Sequence, residues 1–376
     1  MRSSRRLEAE ATRNLEVIWL LRQLRPDFKT IADFRKDNRT AFKALFRDFN
    51  LLCRKLDLFG AELVAIDGSK FKAVNHSRRH DSAEQLRELL QKIEARIEEY
   101  LRELDTQDAA AEGAPAAPNR TGLQEKIATL QERKAEYDAW LKEMSAAGQS
   151  EVSLTDPESR KMKGAHGEHF IGYNVQIAVD AKHDLIVAPE VVQEANDRGQ
   201  LSALALAAKE ALEVEQLQAV ADKGYHEAGQ LEACEAAGIE TFVPAQGTTS
   251  GRGPQGQVLY PKEAFLYDAA SDTYTCPAGQ SLPRQHRAER HGKAWVDYYH
   301  PAACRACPQR SACTTSAFRK IGRRENEAVV ERAAARVAAA PGVVARRKEI
   351  VEHVFGTLRN WGHDRFLLRG LERLHK

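Results

Sequence analysis

Apolar residues in the first part of the chain recur at helical spacing. Over residues 7–24, Leu15, Ile18 and Leu21 with Val17, Leu20 and Leu24 form one apolar stripe, which predicts a helix. Thr30 reads as the N-cap of a short helix, and residues 39–56 as a second amphipathic helix. The period then changes. Glu62-Leu-Val-Ala-Ile-Asp67 is a short apolar run ending in an acid and a glycine, a pattern for a buried strand that presents Asp67 at its C-terminal end.

Residues 81–146 repeat at heptad spacing. Leu86, Leu90, Ile93, Ile97, Tyr100 and Leu104 form one series, and Leu123, Ile127, Leu130, Tyr137, Leu141 and Met144 a second, with Lys134 at a core position. An Ala- and Pro-rich stretch at 109–119 separates them, so the expectation is an antiparallel coiled-coil hairpin inserted into the main domain. Strand patterns resume at 169–179 and 184–188 around a hairpin turn at 180–184, followed by an Ala/Leu-rich helix over 198–212. Gln218-Ala-Val-Ala-Asp222 is a second short strand ending in an acid. A helix from about Glu227, a strand at 239–243 and helices at 326–340 and 343–361 complete the pattern. Residues 247–322, rich in Gly, Tyr and His, read as a β-rich interruption. Strands alternating with helices in this way indicate a mixed α/β sheet with acids at strand ends.

The chain has 376 residues and a formal net charge of +2, with 43% hydrophobic and 29% charged residues, which suits a globular protein and argues against wholesale disorder. No apolar run reaches the ~18 residues of a membrane span. The basic start is followed by Leu7-Glu-Ala-Glu-Ala where a signal peptide would be apolar, so a cytoplasmic protein with no membrane partner is expected. The charge is uneven: residues 319–376 carry 14 Lys/Arg against 7 Asp/Glu. This fits a segment that faces a polyanion, or equally a solvated helix surface rich in Arg.

Among six cysteines, Cys53 and Cys234 stand alone in helical patterns and read as small core residues. Cys276, Cys304, Cys307 and Cys313 fall close together, and in a reducing compartment such a cluster favours metal over disulfide. Four thiolates suit tetrahedral Zn²⁺, with His291 and His300 as substitute ligands; the alternative is a set of reduced cysteines in a small core. Three acids also stand out. Asp67 and Asp222 end strands, and Glu352 lies in the basic helix Arg346-Arg-Lys-Glu-Ile-Val-Glu-His-Val-Phe-Gly. Buried strand-end carboxylates need a cation or hydrogen bonds. Hard divalent ions, Mg²⁺ or Mn²⁺, prefer such oxygen ligands and can clamp both oxygens of an in-line phosphoryl transfer. Each acid taken singly could be an ordinary turn acid or helix cap. Lys70 and Lys72 follow Asp67 and could meet phosphates or simply be solvated. His353 and Trp361 read as packing residues.

Five stretches together, Val64-Ala-Ile-Asp67-Gly-Ser-Lys-Phe-Lys-Ala, Asp156-Pro-Glu-Ser-Arg-Lys-Met-Lys-Gly, Gly172-Tyr-Asn-Val-Gln, Ala221-Asp222-Lys-Gly-Tyr225 and Ile350-Val-Glu352-His-Val-Phe-Gly, resemble a DDE transposase of bacterial insertion sequences. The nearest group is that named after insertion sequence eleven-eighty-two. The resemblance implies a ribonuclease-H-like catalytic domain with Asp67, Asp222 and Glu352 as a metal-binding triad. It implies metal-dependent cleavage at transposon ends, then attack of the freed 3′-OH on target DNA, by a homodimer on DNA. Lys70, Lys72, Lys223, Tyr225, Arg347, Lys348 and Arg359 would be the DNA contacts.

The match has departures. The related signature has a Tyr and an Arg before the glutamate and a Lys seven residues after it. Here Val344 and Ala345 stand where the Tyr would fall, Arg347 or Lys348 serves as the Arg, and Arg359 replaces the Lys. The chain also starts and stops close to the motif region, so truncation at both ends is expected. The resulting division is an N-terminal helical region (1–59), a catalytic domain (60–80, 150–246 and 326–370), a helical hairpin (81–146) and a Cys-rich insertion (247–325). An inactive relic, a structure-selective nuclease or a DNA-binding scaffold would be the other classes consistent with these features.

Overall fold

Short-range capping divides the first predicted helix. In the computed structural model, which describes residues 3–75, 80–110, 120–146, 148–164, 167–245, 251–253, 256–290 and 292–374, α1 (Ser4–Arg13) ends at Asn14 and α2 (Leu15–Leu20) begins there. Asn14 is extended, and its side chain accepts from the backbone N–H groups of Glu16 and Val17, so it caps the second helix and interrupts the first. The apolar stripe read from this stretch lies open, with Leu15 82% and Trp19 80% exposed. Asp27, not Thr30, caps α3 (Phe28–Asp37): the Thr30 N–H donates to Asp27 Oδ1 at 2.6 Å. The fourth helix, α4 (Arg39–Lys55), agrees with the expected range.

The central strand β1 (Leu63–Lys72) has ten residues and continues well past Asp67. That acid is therefore in mid-strand, not at a strand end. The expectation failed because Gly68, Ser69 and Lys70 break the apolar run, while backbone pairing with β5 carries on to Lys72 and Ser69 and Phe71 remain buried. The short β2 (His80–Ser82) leads into α5 (Ala83–Ala110), which lies against α6 (Arg120–Ala146). Leu86, Leu90, Ile93, Leu123, Ile127 and Met144 of the two heptad series are buried. Lys134, the polar intruder, meets Glu94 of the facing helix at 2.7 Å. Most of the Pro-containing tip lies outside the described residues. Strand β3 (Glu151–Ser153) returns to pair with β2.

Next come β4 (Arg160–Lys163), β5 (His169–Asp180), β6 (Ile186–Val192), α7 (Leu201–Leu212), β7 (Leu217–Ala221), α8 (Ala228–Ala236) and β8 (Ile239–Phe242). With β1 they build a six-stranded mixed sheet in the order β4-β5-β1-β7-β8, with β6 also on the outer edge of β5. β5 is antiparallel to β1, β4 and β6, whereas β1, β7 and β8 are parallel. A second sheet follows, antiparallel, from β9 (Leu266–Asp268), β10 (Thr273–Thr275), β11 (Ser281–Arg290) and β12 (Lys293–Tyr298). After the short helices α9 (Pro301–Arg305) and α10 (Arg310–Cys313), β13 (Ile321–Arg324) completes it. The chain ends with α11 (Glu327–Ala339), α12 (Pro341–Asn360) and α13 (Leu371–Leu374). No helix among the described residues is long and apolar enough to cross a membrane.

Alternation along β1 gives the first sheet two dry faces. Val64 and Ile66 join Leu201, Leu204 and Ala208 of α7 in one core. Leu63, Ala65 and Phe71 join Ile350, Val351 and Phe355 of α12 in the other, with the Phe71 and Phe355 rings 6.2 Å apart. Each fully buried aliphatic side chain of this kind contributes roughly 1.5–3 kcal/mol. The second sheet has its own core around Phe265, Tyr274, Leu282 and Tyr298.

Two buried acids secure the loops around this frame. Asp180 accepts from the Gly60 and Ala61 N–H groups, both at 2.9 Å, and so fixes the chain as it approaches β1. Asp156, from one of the five motif stretches, accepts from the Tyr173 hydroxyl at 2.8 Å and the Gly370 N–H at 3.1 Å, which ties β5 to the C-terminal loop. Its other oxygen is buried without a hydrogen-bond partner.

Burial raises the Asp156 pKa above the ordinary carboxylate value, although the Tyr173 and Gly370 bonds oppose it. The folded chain therefore holds this proton more strongly than the unfolded chain. The associated stability is complete below the unfolded carboxylate pKa and is lost as pH rises through the raised folded value. Asp156→Asn should flatten that part of the stability-versus-pH curve in urea unfolding, and an unaltered slope would contradict this account.

Candidate active site

Parallel pairing brings two distant acids together. Ile66 of β1 stands opposite Ala221 of β7, so the next residues, Asp67 and Asp222, are neighbours where β7 ends. Strand alternation directs Asp67 and Ser69 to the α12 side of the sheet. Asp222 uses one carboxylate oxygen to cap the 3-10 turn at 223–225, accepting from the Gly224 N–H at 2.7 Å.

The third acid arrives through a cation. Helix α12 is anchored on the sheet by Ile350, Val351 and Phe355, which places Arg347 and Glu352 at the carboxylates. Arg347 Nη1 lies 3.2 Å from Asp67 Oδ2, and Nη2 lies 3.4 Å from Glu352 Oε1. One guanidinium thus stands between two of the three expected ligands. Its Nη1 is buried and makes no aligned hydrogen bond, so the contact with Asp67 is held by charge more than by geometry. Among the described residues, no three His, Cys, Asp or Glu side chains are grouped closely enough to hold a metal ion.

Asp67 reports the local field. Burial raises its pKa, and the charges of Asp222 and Asp197 add to the rise, against lowering by Arg347 and by the Gly68 N–H. Burial is the dominant cause of the rise, and the Arg347 charge offsets it more than either neighbouring acid adds to it. The donors are hard carboxylate oxygens, which suit Mg²⁺ or Mn²⁺. As they stand, Asp67 and Glu352 both meet Arg347, and Asp222 caps the turn at 223–225.

Sequence reading missed the acid behind this site. Asp197, in the loop before α7, accepts from Lys70 Nζ with both oxygens at 3.1 Å and from the side-chain amides of Asn174 and Gln176, both at 2.7 Å. Gln176 in turn accepts from the Tyr225 hydroxyl. This network packs against the β1 backbone at Gly68, opposite Gln176 in the register. A Cβ at that glycine would lie 2.1 Å from Gln176 Nε2 and 2.8 Å from Asp197 Oδ1. Asn174 and Gln176 belong to a quoted motif, but Asp197 sits in a polar loop with no periodicity to single it out.

The expected DNA contacts divide. Lys70 is engaged with Asp197 rather than free toward phosphate, because even-numbered β1 residues face away from α12. Tyr225 is fully buried in the α7-side core, so it is a positioning residue and not a DNA contact. Burial of this hydroxyl raises its pKa far above the usual range, reinforced by Asp197, Asp67 and Asp222. Arg359 donates to Ser69 Oγ at 2.6 Å, beside the triad. Together, Lys70, Lys72, Lys163 and Arg359, with the acids Glu168 and Asp364, line a cleft of about 380 Å³ along β1 beyond Asp67. Lys223 and Lys348 are exposed. Trp361 is 71% exposed and His353 is on the surface near Asp184, so neither packs as expected. Cys276, Cys304, Cys307 and Cys313 border one small cavity beside the second sheet.

Residues 275–376 match the family described as the transposase DDE domain. The matched region contains Arg347, Glu352 and the four cysteines, while Asp67 and Asp222 precede it. No curated protein and no solved structure matches the chain.

Gly68→Ala should force the Gln176–Asp197 network away from β1. Overpacking of this kind costs about 1–3 kcal/mol, so the thermal midpoint should fall. Unchanged melting would show that the network tolerates the methyl group and does not constrain the strand.

Proposed function

We propose that the chain is a transposase of the insertion sequence eleven-eighty-two group, which cleaves and joins DNA by divalent-metal-dependent phosphoryl transfer. The observation that carries this reading is that Asp67 and Asp222 directly follow the paired residues Ile66 and Ala221 of two parallel strands, with Glu352 joined to Asp67 through Arg347. The matched DDE domain supports the reaction class, since that family transfers phosphoryl groups on DNA. The mixed sheet supports the ribonuclease-H-like reading of the catalytic domain.

In this reading Asp67 and Asp222 hold a Mg²⁺ or Mn²⁺ ion and Glu352 completes the set. The bound ion would polarise the scissile phosphate and activate the attacking water or 3′-OH. Arg359 and Lys72, along the neighbouring cleft, contact the DNA backbone and orient the strand. Lys348, exposed one turn before Glu352, adds charge on the same helix. The DNA substrates are transposon ends and target DNA, bound by a homodimer.

Incubation of the chain with a transposon-end duplex and Mg²⁺ should give nicked product. Asp67→Ala or Asp222→Ala should reduce it by more than the roughly 10–100-fold that loss of an outer metal-site partner costs. Nicking that survives both substitutions would remove these acids from the mechanism. Metal binding by the wild-type chain without any nicking would mark it as an inactive relative.

Arg347 competes for the same carboxylates. Arg347→Ala should therefore tighten Mn²⁺ binding measured by calorimetry in the absence of DNA, while weakening capture of DNA. Weaker Mn²⁺ binding would instead show that the guanidinium organises the ligands.

A further inference from the structure

Three separate segments bring thiols to one place beside the second sheet. Cys276 follows β10 in a tight turn, Cys304 lies in α9 with Cys307 just after it, and Cys313 ends α10. All four border a single cavity of about 30 Å³, walled otherwise by groups such as Phe265, Leu282 and Tyr260. All four cysteines are free of disulfides.

The backbone around the cavity is already shaped to receive charge on sulfur. The turn after Cys276 is closed by Gly279, whose N–H donates to the Cys276 carbonyl at 2.8 Å with φ at +74°. The turn also directs the Gln280 N–H at the Cys276 Sγ, 3.4 Å away. The Cys307 N–H reaches the Cys304 carbonyl at 3.3 Å, which draws the Cys-x-x-Cys pair into a compact turn. Arg319 donates to the Cys313 carbonyl at 3.2 Å and to the Tyr260 carbonyl at 3.1 Å, which sets a fixed positive charge at the cavity wall.

We infer that Cys276, Cys304, Cys307 and Cys313 form a structural tetrathiolate site for zinc, which fastens α9 and α10 to the second sheet. The four thiols do not stand as a ready ligand group among the described residues, so filling the site would require them to close on the ion. Each cysteine would release its proton to solvent, so the filled site would carry two negative charges, with Arg319 alongside as a counter-charge. His300 is not needed as a ligand: its Nδ1 accepts from the Ala303 N–H at 3.2 Å and caps α9. His291 lies outside the described residues. The second sheet is small, and a metal would add folding free energy to its limited core.

The site is independent of the carboxylates, so its test needs no DNA chemistry. The full chain, produced with zinc present and dialysed, should contain one zinc per chain and no iron by elemental analysis. A mercurial reagent should release that zinc to a chromogenic chelator. The Cys304→Ser/Cys307→Ser double variant should lose the zinc, and chelation should lower the melting temperature of the wild-type chain only. Because that variant could misfold, Co²⁺ titration of the metal-free wild-type chain provides a second measurement, with the visible bands of tetrahedral cobalt–thiolate expected to saturate at one equivalent. Absence of zinc with all thiols reduced, a disulfide within the cluster, iron in place of zinc, or cobalt without tetrahedral bands would each overturn the assignment.

Discussion

Negative charge concentrated at two neighbouring strands, and the guanidinium that offsets it, organises the first sheet. Parallel pairing of β1 with β7 places Asp67 beside Asp222, at a depth where solvent screens their repulsion only partly. Arg347 supplies the opposing charge from α12, and the same helix carries Glu352. The apolar contacts of Ile350, Val351 and Phe355 therefore set the position of a charged site as well as closing a core. In this structure the guanidinium of Arg347 provides the positive charge beside these acids.

The opposite face of β1 shows how such a site is supported. Asp197 gathers Lys70, Asn174 and Gln176, and Tyr225 adds a further hydrogen bond from within the apolar core. Three donor groups satisfy this one carboxylate, and Tyr225 extends the network by donating to Gln176. Gly68 separates this network from Asp67, and its missing side chain allows the two polar systems to approach from opposite sides of a single strand. A glycine directly after the first acid is thus a packing requirement and not a turn signal.

Much of the frame was legible in the chain. The strands flanking the 180–184 turn and helices α7, α8 and α12 lie close to where the residue pattern put them. The strand register that sets Asp67 beside Asp222 is contained in no single motif, and Glu352 meets Asp67 only through Arg347. What escaped has physical causes. The extent of β1 was missed because Gly68, Ser69 and Lys70 are polar, although backbone pairing with β5 continues through them. Strand β4 reads as Arg-Lys-Met-Lys, with Met162 alone buried. The roles of Lys70 and Tyr225 depended on which face of the sheet they occupy, and Asp197 had meaning only once the loop before α7 was seen against β1. The first helix failed for a local reason, since a single side-chain cap at Asn14 outweighed an unbroken apolar stripe.

Asp67 and Arg347 are separated by most of the polypeptide, and this has a temporal consequence. A ribosome delivers β1, β5 and β7 long before α12, so the sheet can pair while its acidic end still lacks the guanidinium. During synthesis that end remains a patch of self-repelling charge, which is relieved only when α12 docks and brings Arg347 to Asp67.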